Sequence, residues 1–158
     1  MNLFALDADP ARAAQALCDQ HVVKQALETA QILSTVAHAH GVEAPYRPTH
    51  ANHPVVRWVG RTAGNYRWAW RHGIALCDEY TTRYGGKTHG SRRVFDALAD
   101  VARLLPQAPC EAFCQCVPDQ HRGADAIEAY RRAYAAKLAA WNREATWREP
   151  AVRPEWLA

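Results

Sequence analysis

Apolar residues recur every three or four positions along several stretches of this 158-residue chain, which is the spacing of helices that bury one face. The clearest stretch covers residues 19–40. Gly41 is well suited to end it, because glycine adopts the left-handed conformation of a helix C-terminus without steric cost. The pattern predicts a long helix whose core-facing positions are Val23, Leu27, Ala30, Leu33 and Ala37.

A second helical pattern runs from Val55 to Tyr84, and Gly60 and Gly64 are expected to bend it or to split it in two. Two consecutive glycines follow Tyr84 and end the pattern. The inner positions expected for this segment are Val55, Val59, Tyr66, Ala69, Leu76 and Tyr80.

Two shorter helices are predicted in the second half of the chain. One covers residues 91–105 and is stopped by a proline, and the other begins at Asp119 or Gly123 and continues to Trp141. Between the two long patterns, residues 42–54 contain three prolines and two histidines. Prolines at this density interrupt any helix, so this segment is predicted to be a loop.

Both ends of the chain are expected to be irregular. Residues 2–6 are predicted to form a short strand or an extended arm, and Asp9 followed by Pro10 marks the start of a short helix. After Trp141 the tail is interrupted by prolines. The sequence therefore predicts one all-α domain over residues 1–158. We expect a compact bundle of about four to five helices with a short N-terminal extended arm and an irregular C-terminal tail.

The composition narrows the class of protein. At 49% apolar and 22% charged residues, the chain is typical of a globular rather than a disordered protein. No apolar run reaches the roughly 18–20 residues that span a bilayer, and the N-terminus carries acidic residues where a secretory signal carries Lys or Arg. We therefore expect a cytoplasmic protein without membrane association, and no obligate protein partner is evident.

The five cysteines are an odd number, so they cannot all pair in disulfides. Cys110, Cys114 and Cys116 are close together in sequence, but no CxxC pair occurs twice, as a zinc ribbon requires. The sequence favours reduced thiols with a structural role.

Charge is distributed unevenly, although the net charge is only +3. Residues 47–93 contain nine Lys or Arg and two Asp or Glu, so this segment carries +7 and the rest of the chain −4. Sixteen of the 19 basic residues are Arg, whose planar guanidinium suits bidentate phosphate contacts. An anionic polymer such as DNA is a partner that fits this positively charged segment. The alternative is that the many arginines reflect only a genome rich in Arg codons.

His21, Lys24 and Glu28 share one stripe of the first long helix, because they are spaced three and four residues apart. A carboxylate beside an amine and an imidazole can transfer protons or stabilise a developing cation. The same spacing also describes an ordinary solvent-exposed face, on which Lys24 and Glu28 form an ion pair worth a few tenths of a kcal/mol. The spacing alone leaves both interpretations open.

The proline-rich loop concentrates polar and ring-bearing side chains, among them Arg47, His50 and His53. Such a loop can contact a substrate. Its two histidines can also ligate a metal together with His21 or Glu28. An ordinary capped turn is the third interpretation of the same residues.

Guanidinium and indole groups are interspersed early in the second helical pattern. Arg57 and Arg61 lie one turn apart and can straddle phosphates, while exposed Trp68 and Trp70 rings can stack on unpaired bases. The alternative is that the tryptophans belong to the core, with arginine stems lying over them.

Over essentially its whole length the chain resembles a group of phage and bacterial proteins. The segments that carry this resemblance are MNLFALDADP, CDQHVVKQALETAQILST, PTHANHPVVRW, EYTTRYGGKTH, VPDQH, EAYRRAY and WNREATWREPAVRPEW. This group is in turn distantly similar to the phage pyrimidine-dimer DNA glycosylase/AP lyase of the endonuclease V type. The second resemblance rests on Asp19-Gln20-His21 followed seven residues later by Glu28, within a long helix behind a short N-terminal segment.

The resemblance implies a helical domain that acts on double-stranded DNA containing a damaged or modified base. In that family the N-terminal α-amine attacks the sugar C1′, and a helix carboxylate assists formation and breakdown of the imine. By position, Glu28 is the carboxylate and Met1 supplies the amine, since the bulky Asn2 favours retention of the initiator. An α-amine ordinarily has a pKa of about 7.7–8.0, so a useful fraction is neutral at pH 7. Lys24 is the alternative source of the amine.

The remaining site residues are our own predictions from the loop and from the arginine-rich segment, under a glycosylase/lyase hypothesis that predicts no cofactor. His21 is expected in the pocket wall, among the catalytic residues with Met1, Lys24 and Glu28. The predicted substrate-binding residues are Arg47, His50, His53, Arg57, Arg61, Trp68 and Trp70. The chain departs from the family pattern in its bulky Met1, and in Leu27 and Gln31, where the family has arginines that grip the damaged strand. Another damaged or modified base therefore fits the sequence as well as a pyrimidine dimer.

Two other functions remain open at this point. One is a metal-dependent enzyme that uses His21, Glu28, His50 and His53, and it predicts that chelation removes activity. The other is a non-catalytic nucleic-acid-binding module that kept the helical scaffold. It predicts that Glu28→Gln leaves the function intact, while changes at Arg57 weaken binding.

Overall fold

The computed structural model describes residues 1–157, and within this range the chain forms six α-helices and no β-strand, which confirms the all-α fold. None of these helices is both long and apolar enough to cross a membrane. The helices are α1 (Pro10–Gln15), α2 (Asp19–Ala39), α3 (Pro54–Val59), α4 (Ala63–Arg83), α5 (Arg92–Ala97) and α6 (Ala126–Ala139). Short 3₁₀ turns cover Val101–Leu104, Asp119–His121 and Glu155–Leu157.

Helices α2 and α4 pack against each other at the centre of the fold, and α1 and α3 cover their sides. The predicted core stripe of α2 is correct in its C-terminal half, where Leu33 and Ala37 are buried. It is wrong in the first half, because Leu27 is 40% exposed and Val23 is only half-buried. In this first half of α2, the N-terminal segment of the chain and α6 cover a different face of the helix from the one predicted. That face carries polar side chains.

The second helical pattern is split in two, as the glycines predicted. Gly60 caps the C-terminus of α3, and the Thr62 hydroxyl caps α4 by accepting a hydrogen bond from the backbone N–H of Asn65. Gly64 lies where the segment before Cys110 crosses the start of α4, and a Cβ there would collide with that backbone. Five of the six inner positions predicted for this segment are buried, and Tyr80 is half-buried.

The N-terminal segment is extended but is not a free arm. Leu3, Ala5 and Leu6 are each at most 2% exposed, so this segment is part of the core. It leads into α1, whose N-terminus is capped by the Asp9 carboxylate as the sequence predicted. Burial of these side chains anchors the residues before them, so Met1 has a defined position.

The second half of the chain is less helical than predicted. The helix expected over residues 91–105 is broken into α5 and a 3₁₀ turn, and α6 begins only at Ala126, where the Asp125 carboxylate caps it. The tail is irregular, as predicted, and it packs onto the start of α2. Its Thr146 hydroxyl and the backbone N–H of Arg148 both donate hydrogen bonds to the Asp19 carboxylate.

A buried histidine in α4 makes the stability of the fold depend on pH. His72 is completely buried, with Nδ1 3.0 Å from the Pro10 carbonyl oxygen, and this burial lowers its pKa to about 4 from an ordinary 6.5. The unfolded chain takes up this proton near pH 6.5, whereas the folded chain takes it up only near pH 4. The free energy of unfolding therefore falls as the pH drops through this window, by about 2–3 kcal/mol for this group.

His72→Asn is expected to lose less stability than the wild type between pH 7 and about pH 4.5. The Asn amide keeps a donor for the Pro10 carbonyl but has no proton to gain, so only the contribution of the other histidines remains. Urea unfolding of both proteins at the two pH values measures the difference. An equal loss of stability in the two proteins would show that His72 does not titrate in this way.

Candidate active site

The N-terminal amine and the Glu28 carboxylate lie together at the edge of α2. The Met1 nitrogen is 4.0 Å from Glu28 Oε2, and the two side chains are only 4% and 14% exposed. The backbone N–H of Asn2 donates a hydrogen bond to the same oxygen at 3.0 Å. The end of the chain is therefore held against the carboxylate by a hydrogen bond as well as by charge.

Two side chains of α2 complete the surroundings of Glu28. Gln25 is buried, and its Nε2 donates a second hydrogen bond to Glu28 Oε2 at 3.0 Å. The Lys24 ammonium lies 3.6 Å from Oε1, and its side chain is 68% exposed. One carboxylate oxygen is thus held by two fixed N–H donors, while the other faces a mobile ammonium near solvent.

Residues far away in sequence fix the position of the N-terminus. The Asn2 side chain donates a hydrogen bond to the Cys116 carbonyl oxygen at 2.8 Å, and its Oδ1 accepts one from the backbone N–H of Leu3. The buried Tyr130 hydroxyl donates to the carbonyl oxygen of Cys114 at 2.8 Å. The segment around Cys116 therefore serves as a rigid support for the first two residues.

The same segment carries two thiols. The five cysteines are all free, as the sequence predicted, and the sulfurs of Cys114 and Cys116 are 3.6 Å apart. A hydrogen bond between the Cys114 and Cys116 thiols lowers the pKa of Cys116, and Cys116 lines the cavity that contains Met1.

His21 lies one turn before Lys24 and is buried between aromatic rings. Its Nδ1 is 2.8 Å from the Tyr134 hydroxyl, and its ring packs against Phe4 and Trp141. Burial, followed by the positive charges of Lys137 and Lys24, lowers the pKa of His21 to about 4. The imidazole is therefore neutral at pH 7 and can donate or accept a hydrogen bond without carrying charge.

A cavity of about 400 Å³ joins these groups. It extends from the N-terminal amine and Glu28, past His21, to the inner face of α6 and to the segment at residues 116–118. Its lining residues include Met1, Asn2, Phe4, His21, Lys24, Gln25, Glu28, Cys116, Val117, Pro118, His121, Ala133, Ala136 and Lys137. The stripe that the sequence predicted on α2 thus faces a cavity, and only Lys24 is largely exposed to solvent.

The proline-rich loop reaches the same side of α2. The Thr35 hydroxyl donates to the Thr49 carbonyl oxygen and accepts from the Thr49 backbone N–H, which docks the loop two turns after Glu28. His53 caps α3 through Nδ1. Burial, the charge of the N-terminus and His50 together lower the pKa of His53, although the Glu28 carboxylate acts in the opposite direction. The ring is therefore close enough to both Met1 and Glu28 to feel their charges. His50 is exposed and bonds to Thr49.

The two tryptophans predicted to bind substrate, Trp68 and Trp70, do not line this cavity. Trp68 is 7% exposed, its indole N–H donates to the Ala8 carbonyl oxygen, and its ring stacks on His72. The half-buried Trp70 donates to the carbonyl oxygen of Phe95. Trp68 is part of the core, so the expectation that its ring stacks on bases is wrong, while base stacking by Trp70 stays a prediction.

The basic segment is divided between surface and core. Arg47 and Arg57 are exposed, and Arg57 lies one turn after the cap of α3. Arg61 is also exposed but forms an ion pair with Glu111 at 3.1 Å. Arg83 is completely buried and joins α4 to the start of α2 through Asp19, so it is unavailable to DNA. Part of the sequence's charge asymmetry thus serves the structure.

The four side chains proposed for a metal site do not form a ligand cluster. Among residues 1–157, no three His, Cys, Asp or Glu side chains are arranged to hold a metal ion. The Nδ1 atoms of His21 and His53 are both used in hydrogen bonds within the protein. This geometry gives the metal-dependent alternative no support.

Some residues of the site were missed by the sequence analysis. Asn2, Cys116 and Lys137 contribute to it through contacts between distant parts of the chain, and no local pattern marks them. Gln25 was noted only as part of a polar face. The sequence could have indicated a role for Gln25 through its position in the middle of α2. This helix packs on several sides, and a buried side-chain amide there requires a hydrogen-bond partner.

Comparison with known proteins identifies one family. A family model described as pyrimidine dimer DNA glycosylase matches residues 1–91, the part of the chain that contains α1 to α4 and both Met1 and Glu28. No curated protein and no solved structure matches the chain.

Proposed function

Because the chain belongs to the pyrimidine dimer DNA glycosylase family, we propose that it excises a base from DNA through an imine between its N-terminal amine and the sugar. We further propose that it then cleaves the strand as an AP lyase. The observation that carries the proposal is the Met1 nitrogen, 4.0 Å from Glu28 Oε2 inside a cavity. An amine and a carboxylate at this distance can act on the same atom of a substrate.

In the proposed reaction, the neutral Met1 amine attacks C1′ as the bond from C1′ to the base breaks, and the base leaves with the electron pair of that bond and takes up a proton from water. Glu28 stabilises the positive charge that develops on the sugar and then receives and returns protons as the ring opens to the imine. Glu28 then takes a proton from C2′ of the imine, and the 3′ phosphate leaves with the electron pair of its C3′–O bond. Water finally hydrolyses the imine, which frees the amine and an unsaturated aldehyde. Asn2 and Gln25 keep the carboxylate in place throughout, because both donate to its Oε2.

DNA binding in this proposal uses exposed cations around the cavity. Lys24 and Lys137 line the cavity, and Arg47 and Arg57 belong to the loop and helix that His53 joins. These side chains can neutralise phosphates on both sides of the reacting nucleotide, and affinity then falls as salt rises. We place the reaction in the cytoplasm, and it needs no cofactor because the chain supplies both reactive groups.

Borohydride trapping on abasic DNA tests the proposal without knowledge of the base. The protein is mixed with a duplex that contains one abasic site, and the imine is reduced to a stable covalent adduct. We expect an adduct that peptide mass mapping assigns to Met1. Intact mass of the same preparation checks that residue 1 carries a free amine.

Two variants identify the amine. A Gly-Ser extension before Met1 moves the free amine away from Glu28, so trapping is expected to fall to the level of a lysine-rich control protein. Lys24→Met removes the neighbouring amine and is expected to retain the adduct. Trapping that survives the extension but is lost in Lys24→Met would assign the chemistry to Lys24. No adduct above the control in any form would reject the imine mechanism.

A further inference from the structure

We infer that Cys114 and Cys116 form a reversible disulfide that displaces the support of the N-terminal amine and so switches the protein off. The two thiols are a modification site, and neither takes part in the proposed reaction. The agent that modifies them is a hydroperoxide, and small thiols reverse the change. Formation of the disulfide is independent of the proposed function, whereas its effect on activity rests on that function.

A tight turn of the backbone brings the two sulfurs together. The backbone N–H of Cys116 donates a hydrogen bond to the Cys114 carbonyl oxygen at 3.1 Å, so these residues and Gln115 form a three-residue turn. The sulfur atoms are 3.6 Å apart. Formation of a disulfide then requires that they approach by about 1.5 Å. The turn belongs to a segment without helix or strand, which can adjust by this amount more easily than a helix can.

Both thiols are accessible to a small oxidant. Cys114 and Cys116 are half-buried and line an open groove of about 790 Å³ on the surface. Cys116 also belongs to the wall of the cavity that contains Met1. Cys18 and Cys77, by contrast, are buried. A hydroperoxide can therefore reach the paired thiols while these two remain protected.

Cys116 is the more reactive thiol of the pair. The hydrogen bond between the thiols lowers the pKa of Cys116 and raises the pKa of Cys114. The charge of Arg122 also lowers the pKa of Cys116, although burial opposes both effects. Because the thiolate is the nucleophilic form of cysteine, oxidation begins at Cys116, and Cys114 closes the disulfide.

The oxidation consumes two thiols and one hydrogen peroxide and releases two waters. The Cys116 thiolate attacks one peroxide oxygen, the O–O bond breaks, and the other oxygen leaves as hydroxide, which takes up the proton of the former thiol. The Cys114 sulfur then attacks the sulfur of the sulfenic acid, and the S–O bond breaks. The Cys114 proton leaves with that oxygen as water. Two small thiols reverse the reaction by exchange and become a disulfide themselves.

The disulfide alters the backbone that holds the N-terminus. The Asn2 side chain donates to the Cys116 carbonyl oxygen at 2.8 Å, and the Asn2 backbone N–H donates to Glu28. The Tyr130 hydroxyl accepts from the Cys116 backbone N–H at 3.2 Å and donates to the Cys114 carbonyl oxygen. Closure of the sulfurs displaces the groups that make these bonds. A displacement of about 1 Å at a reacting group can slow a reaction by about a hundredfold.

Oxidation of the whole chain by stoichiometric hydrogen peroxide, in buffer that contains EDTA, tests the inference. Intact mass and peptide mapping without reduction identify the disulfide. Borohydride trapping on abasic DNA measures activity before oxidation, after oxidation and after dithiothreitol. Amide exchange by NMR reports on the N-terminus without reference to activity, because the N–H groups of Asn2 and Leu3 donate to Glu28 and to the Asn2 side chain.

We expect the wild type to form the disulfide, to trap abasic DNA about 10–100-fold more slowly, and to recover in dithiothreitol. Exchange at Asn2 and Leu3 should become at least about tenfold faster, because their hydrogen bonds are lost. Cys110→Ser removes an exposed thiol outside the pair, so this control should respond as the wild type does. Cys114→Ala and Cys116→Ser, each compared with itself before and after peroxide, should change in neither measurement.

Three results would overturn the inference while leaving the proposed function intact. One is a wild type in which peroxide oxidises other thiols without joining this pair. Another is a disulfide that leaves trapping or amide exchange unchanged. The third is an equal loss of trapping in Cys114→Ala, which would show that oxidation of Cys116 alone is sufficient. Absence of trapping by the reduced wild type would instead reject the imine mechanism, and amide exchange would then decide whether the disulfide displaces the N-terminus.

Discussion

Glu28→Gln is expected to slow both base excision and cleavage of abasic DNA by about 10²–10⁴-fold, the usual contribution of a positioned general acid–base group. The amide keeps the shape of the side chain and still accepts hydrogen bonds from Asn2 and Gln25 through its remaining oxygen. It cannot take up a proton or balance a positive charge on the sugar. The loss should therefore appear in the chemical step and not in folding or DNA affinity.

Single-turnover rates with protein in excess measure this step, and fluorescence anisotropy with labelled abasic duplex measures affinity separately. Glu43→Gln is the matched control, since Glu43 is an exposed glutamate in the loop after α2. Glu28→Gln with undiminished excision and cleavage would remove the carboxylate from the mechanism. A wild type that binds the duplex but neither excises a base nor traps abasic DNA would instead favour the non-catalytic binding module.

Arg83→Met is expected to lower the free energy of unfolding by about 3–5 kcal/mol, the cost of removing one partner of a buried ion pair. The Arg83 guanidinium is completely buried. It contacts Asp19 at 3.3 Å and Glu79 at 2.8 Å, and it donates to the carbonyl oxygens of Leu17 and Gln15. Methionine fills similar space but offers no donor, so two carboxylates and two carbonyls lose hydrogen bonds at once.

Urea unfolding at pH 7 measures this loss, with Arg93→Met as the control because Arg93 is exposed on the short helix α5. The control is expected to change the free energy of unfolding by less than about 0.5 kcal/mol, as surface substitutions usually do. A loss below about 1 kcal/mol in Arg83→Met would show that the network does not stabilise the fold. Because Asp19 is the first residue of α2, this network joins α4 to the start of the helix that carries Glu28.

Local signals were sufficient for much of the backbone. The long helix predicted over residues 19–40 is observed at Asp19–Ala39, and the glycines that divide the second pattern do divide it. These features follow from interactions within about one turn of the chain, namely helix periodicity, proline geometry and side-chain caps. The helices after residue 90 were predicted too long, because tertiary packing there outweighs a weak helical pattern.

Burial was harder to predict than helicity. Leu27 was assigned to the core and is 40% exposed, while Trp68, predicted to bind substrate, is in the core. Arg83 is one of the nine basic residues counted in segment 47–93, and it lies between two carboxylates. A periodic pattern shows that a helix has a buried face, but the neighbours of the helix decide which residues that face contains.

The sequence alone determined the all-α class, the position of the long helix, and the common stripe of His21, Lys24 and Glu28. It also contained the resemblance that pairs Met1 with Glu28. Only the tertiary structure decided that the stripe faces a cavity, because the hydrogen bonds that enclose it join Asn2 to residues 26 and 114 positions away. Contacts at such separations depend on how whole helices pack, and no short segment of sequence encodes them.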